Sequence, residues 1–517
     1  MKNVLTPLHF LSRSAFVYRD KVAVVDGERR FTYAELETRV HRLASALRGL
    51  GIAPGDRVAV LSPNTSMALE PHFGVPLLGA VLVMLNTRLH SSELTWILNH
   101  CEAKVLLVDP QLAPVLEEVK KDLPSLRHFI SDYEALLATG ADRLENPPEP
   151  GEDDLMAINY TSGTTGFPKG VMFSHRGAYL NALGELMEYG LREDSIYLWT
   201  LPMFHCNGWC FTWAVTAAGG RHICLRQPLP ELAAAAIREE SVTHLCGAPV
   251  VVGGLAHYAA QNSLKFTSGL RIITAGAPPS PAVLRAAEET GAEMFHCYGL
   301  TETYGPMTVC AWRKEWNGLE AGERSRWKAR QGVPYIIAGT DVRLVDENMN
   351  DVAADGQSMG EVVMRGNNVM IVYYKNPEST EQSFRGGWFH SGDYAVMHPN
   401  GYLEIRDRKK DIIISGGENI SSVEVEKVVY EHPAVLEAAV IAIPDEKWGE
   451  APKAFVTLKE GSTASAEDII HFCRERMSHF KCPKKIEFGP LPKTATGKIR
   501  KNELREKEWG GLEKRVN

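Results

Sequence analysis

The sequence predicts an α/β protein with a large N-terminal domain of layered sheets and helices and a small C-terminal α+β domain. Short apolar runs alternate with amphipathic helical patterns up to about residue 110, which is typical of parallel βαβ units. A chain of 517 residues is too long for one compact domain, and its character changes near residue 406. We therefore expect the large domain over residues 1–407 and the small domain over residues 408–517.

The first elements follow from local patterns. Thr32 and Glu35 form the T-x-x-E pattern of a capping box, so a helix is predicted to begin there and to stop at Gly49 or Gly51. Its predicted buried face consists of Leu36, Val40, Leu43 and Leu47. The predicted strands are the apolar runs 56–62, 79–86, 103–109 and 155–159. Near residue 406, a charged run, a short strand, a Gly-Gly turn and a helical pattern predict the start of the small domain.

Composition excludes several classes of function. The net charge of −8 shows no basic excess of the kind that nucleic-acid binding needs, so no nucleic-acid partner is expected. The nine cysteines form no C-x-x-C pair, which argues against a zinc site or a disulfide framework. The N-terminus has no secretory pattern, and no uncharged apolar stretch reaches about 18 residues, so no membrane span is expected. We predict a cytoplasmic protein.

The segment YTSGTTGFPKGV, residues 160–171, is rich in small and hydroxyl residues. Consecutive small residues leave backbone N–H groups exposed in a concave loop that suits an anion, and Lys169 adds a positive charge. The segment is not a Walker loop, because Phe167 and Pro168 separate Gly166 from the lysine. It predicts a polyphosphate site, although a plain surface loop of the same composition stays open on this stretch alone.

Four further motifs accompany that loop in order: YGLTET (298–303), HSGDYA (390–395), IRDRKKDIIISGGENI (405–420) and PKTATGKIRK (492–501). Together the five motifs resemble the adenylate-forming superfamily of acyl-CoA synthetases, luciferases and peptide-synthetase adenylation domains. The resemblance covers nearly the whole chain. It implies activation of a carboxylic acid by ATP as an acyl-adenylate with Mg²⁺, followed by attack of a thiol, usually that of coenzyme A. It also implies that the small domain is mobile and rotates between the two half-reactions.

The resemblance assigns roles to charged residues of these motifs. Lys498 would bridge the substrate carboxylate and the α-phosphate; from its position alone it would be a solvated C-terminal lysine. Glu302 would hold Mg²⁺ on the phosphates with Thr161 as a weaker ligand, or could be only a helix N-terminal acid. Asp393 would accept both ribose hydroxyls, with an Asx-turn as the alternative, and Arg408 would contact the ribose or the α-phosphate.

Nucleotide contacts are expected from two groups of residues. The phosphate loop would consist of Thr161, Ser162, Gly163, Thr164, Thr165, Gly166 and Lys169, with Thr301 as a further donor. The adenine pocket would consist of Gly276, Ala277, Pro278, His296, Cys297, Tyr298 and Gly299. A covalent role for Cys297 is disfavoured, because no histidine arrangement requires it and the adenylate already activates the acid.

Lys410, two residues after Arg408, matches the hinge position of the family. After rotation, the turn formed by Ser415, Gly416 and Gly417 would line the pantetheine tunnel. Lys484 would meet the phosphates of the coenzyme. Glu418 and Trp448 stand where some medium-chain relatives carry arginines, which leaves the coenzyme contacts open in detail.

Two segments of the sequence bear on the size of the substrate acid. Gly299 replaces a tryptophan that closes the pocket in acetate-type enzymes, so we expect an acid larger than acetate. On the other wall, His205 is the expected gate, and Trp209 and Trp213 would limit pocket depth, although histidine and both tryptophans could be structural. The FHCNGW pattern resembles ligases for short- to medium-chain, aryl and methylthio acids.

Three readings therefore stay open. The first is an acyl-CoA synthetase whose partners are a small carboxylic acid and coenzyme A. The second is an adenylating enzyme that delivers the acyl group to a carrier-protein thiol. The third, a non-catalytic nucleotide-binding protein, would need none of the charged residues named above. A homodimer is common among relatives.

Overall fold

The structure is a computed structural model that describes residues 3–117, 120–161, 168–266, 269–336, 341–415, 418–445, 448–493 and 499–510. The chain divides into two compact units. Unit 1 contains residues 1–342 and 364–389, and unit 2 contains residues 343–363 and 390–517. The mixed α/β class expected from the sequence is confirmed. The domain boundary between residues 407 and 408 stays a prediction of the sequence.

The helices and strands alternate along most of the chain. The helices are α1 (Leu8–Val17), α2 (Tyr33–Gly49), α3 (Ser66–Leu69), α4 (Pro71–Leu77), α5 (Ser91–His100), α6 (Pro114–Glu117), α7 (Tyr133–Ala138), α8 (His175–Glu188), α9 (Cys206–Trp209), α10 (Phe211–Ala218), α11 (Pro230–Glu239), α12 (Pro249–Gln261), α13 (Pro281–Glu289), α14 (Ala321–Lys328), α15 (Pro377–Ser383), α16 (Ser422–Tyr430), α17 (Ala466–Arg474) and α18 (Lys501–Trp509). The strands are β1 (Val22–Asp26), β2 (Arg29–Thr32), β3 (Arg57–Leu61), β4 (Val81–Met84), β5 (Val105–Val108), β6 (His128–Ile130), β7 (Leu155–Thr161), β8 (Lys169–Ser174), β9 (Ile196–Trp199), β10 (Arg221–Cys224), β11 (His244–Gly247), β12 (Arg271–Thr274), β13 (Glu293–Leu300), β14 (Gly305–Val309), β15 (Val333–Pro334), β16 (Asp341–Val345), β17 (Met359–Arg365), β18 (Phe389–Met397), β19 (Leu403–Arg408), β20 (Ile413–Ser415), β21 (Glu418–Ile420), β22 (Val435–Asp445), β23 (Gly449–Leu458) and β24 (Lys485–Phe488).

The predicted capping box is present at the start of α2. Thr32 Oγ1 accepts a hydrogen bond from the Glu35 N–H at 3.2 Å, and Glu35 Oε2 accepts one from the Thr32 N–H at 2.7 Å. The four apolar residues predicted for its inner face are all buried. Two orphan N–H groups are thus satisfied at the point where the apolar stripe begins, which fixes the start of the helix.

Unit 1 contains two sheets. The first has the strand order β6-β5-β3-β4-β7-β8, and only its last pair, β7 with β8, is antiparallel among the pairs described. All four predicted strands lie in it, as β3, β4, β5 and β7. Their side chains, including Ala59, Val83, Leu106 and Ile158, share one apolar cluster, which explains why these runs are apolar at nearly every position.

The second sheet of unit 1 has nine strands in the order β15-β14-β13-β12-β11-β9-β10-β1-β2. The six adjacent strands β13, β12, β11, β9, β10 and β1 run parallel to one another. Strand β14 runs antiparallel to β13. Helices α11, α12 and α13 contribute to its core through Ile237, Leu255 and Leu284. Because β12 and β13 are parallel neighbours, the loops that follow their carboxyl ends meet at one edge.

Unit 2 contains a sheet with the order β16-β17-β18-β19 and a second with the order β21-β20-β23-β22, in which β24 also pairs with β23. The apolar core of the second sheet includes Ile413, Val425, Val440 and Ile469, from β20, α16, β22 and α17. As the sequence predicts, β19 ends in the charged run. The run forms a 3-10 turn, Lys409–Asp411, before β20 begins. We call this 3-10 turn the hinge turn.

No described helix combines the length and the hydropathy that crossing a bilayer requires. All nine cysteines are buried, and no disulfide joins any of them in the described structure.

Candidate active site

Strands β7 and β8 pair antiparallel on either side of the segment that the sequence predicts to bind phosphate. Thr161, the last residue of β7, lies opposite Lys169, the first residue of β8. The antiparallel pairing therefore presents both side chains at the base of the loop. The residues between them that were predicted to bind phosphate, Ser162, Gly163, Thr164, Thr165 and Gly166, lie outside the described residues.

A tyrosine connects the expected phosphate lysine to the expected magnesium ligand. The Tyr373 hydroxyl donates a hydrogen bond to Oε1 of Glu302 at 2.8 Å. Nζ of Lys169 lies 4.9 Å from the centroid of the same ring. Burial, and after it the nearby Glu302 carboxylate, raises the pKa of Tyr373 well above that of a free phenol, so the hydroxyl keeps its proton and acts as a donor. Tyr373 was not predicted as a site residue, because its segment IVYYKNP contains no motif.

The turn that carries Thr301 and Glu302 is held from two sides. It is a 3-10 turn, Thr301–Thr303, and it follows β13 directly. The Glu302 carbonyl accepts a hydrogen bond from the Met370 N–H at 2.7 Å. Cys206 Sγ lies 3.6 Å from Thr301 Oγ1, which brings the residue after the expected gate, His205, into contact with the expected phosphate donor.

The residues expected around adenine come from two neighbouring strands. Gly276, Ala277 and Pro278 follow β12, and His296 lies opposite Thr274 of β12 on β13. The structure thus brings together two chain segments that are separate in the sequence. The His296 ring is oriented by a hydrogen bond of 2.8 Å between Nδ1 and the Arg330 carbonyl. The contact of these residues with adenine stays a prediction.

Cys297 is not placed for nucleophilic chemistry. Its side chain is 1% exposed, and Sγ points to the Thr274 carbonyl at 3.8 Å. Burial raises the pKa of the thiol far above its ordinary value, so the reactive thiolate is disfavoured. This agrees with the expectation that the cysteine has no covalent role.

Gly299 requires a different explanation from the one the sequence suggested. A Cβ atom at this position would stand 1.9 Å from the carbonyl oxygen of Gly305 and 3.0 Å from Oγ1 of Thr303. The β13–β14 ladder has an irregularity between Tyr298 and Gly299, where the two backbones approach closely. The missing side chain therefore permits this close approach and leaves no free volume in its own direction, so Gly299 gives no reason to exclude acetate.

The segment after His205 has an unusual backbone. Cys206, Asn207, Gly208, Trp209 and Cys210 have φ angles of 45°, 46°, 61°, 51° and 64°, a run of five left-handed residues of which four carry side chains. Such a conformation costs about 1–2 kcal/mol per residue other than glycine, and strain of this kind concentrates at functional sites. No sequence pattern predicted it.

Within this left-handed turn, Asn207 is fully buried. Both polar atoms of its amide have no hydrogen-bond partner among the described residues. A buried amide normally finds partners, so the turn places an unsatisfied polar group directly beside the residue that contacts Thr301. Asparagine in FHCNGW gave no signal of this in the sequence.

The two tryptophans expected to line the acyl pocket differ in position. Trp213 is fully buried, and its indole N–H donates to the His72 carbonyl at 3.3 Å. Its ring centroid lies 6.0 Å from that of Tyr304. These contacts fit the structural role that the sequence left open for this residue. Trp209 belongs to the left-handed turn and is 6% exposed.

In unit 2, Asp393 and Arg408 face each other across an antiparallel pair. They are opposite residues of β18 and β19, and Nε of Arg408 lies 3.5 Å from Oδ1 of Asp393. Asp393 is 6% exposed and lies within a strand, not in the Asx-turn considered as an alternative. The guanidinium beside it compensates the buried carboxylate, which keeps an acceptor pair at this position.

Lys410 lies in the hinge turn. Burial, assisted by the charge of Arg408, lowers the pKa of its ammonium group to about 8. Ser415 ends β20, and Lys484 is exposed just before β24. Lys498, Gly416 and Gly417 lie outside the described residues, so their roles remain predictions.

The donor set fits a magnesium ion that is shared with a polyphosphate. Within the described ranges, no cluster of three or more histidine, cysteine or carboxylate side chains forms a complete metal site. Mg²⁺ commonly takes only one or two protein carboxylates and completes its shell with phosphate oxygens and water. Glu302 and Thr161 have side-chain oxygens of that kind and would hold the ion together with the phosphates.

Comparison with known proteins agrees with these observations. A family model described as AMP-binding enzyme matches residues 11–374, and one described as AMP-binding enzyme C-terminal domain matches residues 424–498. The chain is 48% identical over 547 residues to an acetate–CoA ligase of Humulus lupulus, covering 99% of this chain and 96% of the relative. It is 46% identical over 520 residues to a 4-hydroxybutyrate–CoA ligase of Metallosphaera sedula, covering 97% and 94%. An anthranilate CoA ligase solved with anthranoyl-AMP matches with a TM-score of 0.89 and 27% identity, and 98% of each chain is covered.

Proposed function

The chain belongs to the AMP-binding enzyme family, as an AMP-forming carboxylic acid–CoA ligase, and we propose that its acid is a short monocarboxylic acid of acetate to butyrate size. The observation that carries the proposal is near-full-length similarity, at 48% and 46% identity, to ligases named for acetate and for 4-hydroxybutyrate. The close approach at Gly299 removes the argument against acetate. Aryl and medium-chain acids stay as alternatives to be tested.

The reaction uses ATP, Mg²⁺ and coenzyme A in two steps. In the first step, a carboxylate oxygen attacks the α-phosphorus, the bond to the bridging oxygen breaks, and pyrophosphate leaves. In the second step, the thiol sulfur attacks the carbonyl carbon of the adenylate, AMP leaves with the electron pair of the acyl–oxygen bond, and the thiol proton is released to solvent. The thioester and AMP are the products.

The first step joins two anions, so it requires concentrated positive charge and fixed donors. Lys169 would neutralise phosphate charge, and Thr161 and Thr301 would donate to phosphate oxygens. Glu302 would hold Mg²⁺, whose chemical contribution is to neutralise the polyphosphate. The hydrogen bond from Tyr373 would fix which carboxylate oxygen of Glu302 is engaged. Lys498 would contact the reacting carboxylate and the α-phosphate.

Ribose recognition is assigned to Asp393, whose buried carboxylate has two acceptor oxygens. Nε of Arg408 lies 3.5 Å from Oδ1 of this carboxylate and places a compensating positive charge beside it. His205 and the left-handed turn after it are proposed to form the acyl side of the site. Support comes from the contact of Cys206 with Thr301, the expected phosphate donor.

The test is AMP formation from ATP over a panel of acids, each with and without coenzyme A. The panel contains acetate, propanoate, butyrate, 2-methylpropanoate, 4-hydroxybutyrate, longer chains, aryl acids and methylthiopropanoate. We expect AMP release that needs both a short acid and coenzyme A. If a medium-chain or aryl acid gave the highest turnover, the proposed substrate class would be wrong, but the CoA ligase activity would still hold.

The same assay separates the remaining alternatives. Acid-dependent pyrophosphate exchange without any effect of coenzyme A would favour transfer to a carrier-protein thiol. Binding of ATP without turnover on any acid would favour a non-catalytic nucleotide-binding protein. We further propose a cytoplasmic location and a homodimer, to be tested by fractionation of cells and by light scattering of the purified chain.

A further inference from the structure

The C-terminal helix α18 is bonded directly to the hinge turn. Nη1 of Arg505 donates to the carbonyl oxygen of Lys410 at 2.7 Å, and it also contacts Oδ1 of Asp411. The side chains of Arg505 and Asp411 are only 15% and 10% exposed. One guanidinium thus binds the backbone of one hinge residue and the carboxylate of the next, which suits the several fixed N–H donors of arginine.

The same helix is attached to the rest of unit 2 at other points. Nζ of Lys501 lies 2.7 Å from Oε1 of Glu426 and 2.6 Å from Oγ of Ser422, both on α16. Leu504 packs in an apolar cluster with Ala439 and Ile441 of β22. Helix α18 is therefore attached to unit 2 at several points, and Arg505 joins it to the hinge turn.

Helix α18 follows the expected catalytic lysine closely in the sequence. The helix begins at Lys501, three residues after Lys498. The bonds of Arg505 join the hinge turn to α18 directly, whereas the covalent route from Asp411 to Lys501 is 90 residues long.

We propose that Arg505 is a positioning residue that couples the hinge turn to the segment carrying Lys498, so that the lysine is delivered accurately for the adenylation step. The proposal rests on the proposed function. Arg505 acts through Lys410 and Asp411 and does not itself touch a substrate. Adenylation is expected to be sensitive to it, because a misplacement of about 1 Å can cost about 10²-fold in rate.

The second half-reaction should depend on Arg505 much less. Its expected elements, Ser415 and the Gly-Gly turn, follow the hinge turn within a few residues along the chain. Their placement relative to Lys410 is set by the covalent backbone and by the pairing of β20 with β21 and β23. The proposal therefore predicts an asymmetric effect on the two half-reactions.

The experiment measures both half-reactions in Arg505→Ala and Arg505→Lys. Acid-dependent pyrophosphate exchange reports adenylation, and thioester formation from supplied acyl-adenylate and coenzyme A reports the second step. We expect adenylation to fall by about 10²-fold in the alanine variant and thioester formation to be unchanged. Lysine, with a single compact donor group, should restore little. The matched control is Lys507→Ala on the same helix, whose side chain is 60% exposed and pairs with Glu487.

Asp411→Asn, alone and combined with Arg505→Ala, tests whether the effect runs through the hinge turn. If the two residues act as one unit, the double variant is no slower in adenylation than Arg505→Ala. Equal loss of both half-reactions in Arg505→Ala, or loss of neither, would overturn the proposal. A variant that fails to fold is replaced by Arg505→Lys, which keeps the charge.

A second readout works even if the proposed function fails. If the unmodified chain forms no AMP with any acid, the function is wrong, and the coupling is then judged by hydrogen exchange. The Ile412 N–H donates to the Arg408 carbonyl at 3.1 Å across the hinge turn. Arg505→Ala should speed exchange of this amide, whereas Lys507→Ala should not. Unchanged exchange in Arg505→Ala would overturn the coupling independently of catalysis.

Discussion

The hydroxyl of Tyr373 donates to Oε1 of Glu302 at 2.8 Å, while Nζ of Lys169 lies 4.9 Å from the centroid of the same ring. One phenol thus contacts a cation and an anion that come from distant parts of unit 1. A donor on one carboxylate oxygen orients the group, and the ring face attracts the ammonium through its quadrupole. Lys169 and Glu302, which are expected to bind phosphate and magnesium, therefore both contact Tyr373, a residue that carries no charge.

Tyr373→Phe should weaken use of Mg-ATP. The change removes the hydroxyl and keeps the ring, so Glu302 loses its orienting donor but Lys169 keeps its aromatic contact. A hydrogen bond to a charged group is worth roughly 1.5–3 kcal/mol, so we expect the KM for Mg-ATP to rise about tenfold or more. Tyr374→Phe is the matched control, since its ring packs against His100 with the centroids 5.6 Å apart. An unchanged Mg-ATP KM in Tyr373→Phe would contradict the orienting role.

Lys498→Ala should separate the two half-reactions. Removal of one key electrostatic contact typically costs about 10²–10³ in rate, and the loss should fall on adenylation. The variant should still convert a supplied acyl-adenylate and coenzyme A to the thioester. Lys493→Ala, which removes an ion pair with Glu437 nearby, serves as the control. Loss of thioester formation in Lys498→Ala would indicate a structural lysine.

Gly299→Ala should lower stability without selecting a new acid. The added Cβ would meet the Gly305 carbonyl oxygen at 1.9 Å, so the backbone must shift, and overpacking of this kind costs about 1–3 kcal/mol. We expect a lower Tm in thermal unfolding. The control is Gly322→Ala in α14, where an added Cβ meets nothing within 4 Å. An unchanged Tm together with a narrower range of acids would restore the interpretation of Gly299 as open pocket space.

Four buried histidines predict a loss of stability in acid. Burial lowers the pKa of His72, His175 and His244 to about 4 and that of His222 to about 3, against an ordinary value near 6.5. Below pH 6.5, these histidines therefore bind protons in the unfolded chain but stay neutral in the folded chain. The stabilisation is fully present above pH 6.5 and is lost as the pH falls through 6.5 towards 4. Denaturation midpoints from pH 7.5 to 5 measure it.

His222 offers the sharpest variant for this test. The indole N–H of Trp199 donates to its Nδ1 at 3.1 Å, and Nε2 lies 3.0 Å from Oγ1 of Thr216, so the neutral ring is held between two partners. His222→Gln should be less stable at pH 7.5 but should lose less stability on acidification. His471→Gln, at a side chain that is 76% exposed, should keep the original acid dependence. If stability fell equally with pH in the unmodified protein and in both variants, His222 would not contribute to the loss of stability in acid.

Asp393→Ala should weaken nucleotide binding. The variant removes both expected ribose acceptors and leaves Arg408 without its carboxylate partner at 3.5 Å. Hydrogen bonds to a charged group contribute about 1.5–3 kcal/mol each, so the Kd for ATP should rise at least about tenfold. Asp355→Ala, in an exposed turn of the same unit, is the control. Titration calorimetry with ATP measures both, and an unchanged Kd for Asp393→Ala would exclude the ribose role.

Local patterns anticipated elements whose causes are local. The capping box at Thr32 and Glu35, the buried face of α2 and the strands β3, β4, β5 and β7 all depend on residues a few positions apart. The motifs identified the family because each of them is a short segment, so its residues can be recognised without knowledge of the tertiary structure. No pattern in the sequence assigned the adenine segments to strand ends, and their adjacency at β12 and β13 required the sheet order.

Contacts between segments that are far apart in the chain could not be predicted from local sequence patterns. Tyr373 bonds to Glu302 from 71 positions away, and Arg505 reaches the hinge turn from 95 positions away. No periodicity or motif marks either residue, because the contact of each one depends on a partner that lies far away along the chain. Gly299 shows the opposite error, in which a motif position suggested open space that the backbone of Gly305 in fact fills.

The sequence by itself determined the α/β class, the family and the charged residues expected to handle ATP, because these depend on hydrophobic period and on short motifs. Only the tertiary structure decided how those residues are held: the phenol between Lys169 and Glu302, the left-handed turn after His205, and the arginine on α18 that binds the hinge turn. The physical reason is that hydrogen bonds and close packing act between atoms within a few ångströms, whatever their separation along the chain. Such contacts exist only after the sheets have set which segments are neighbours.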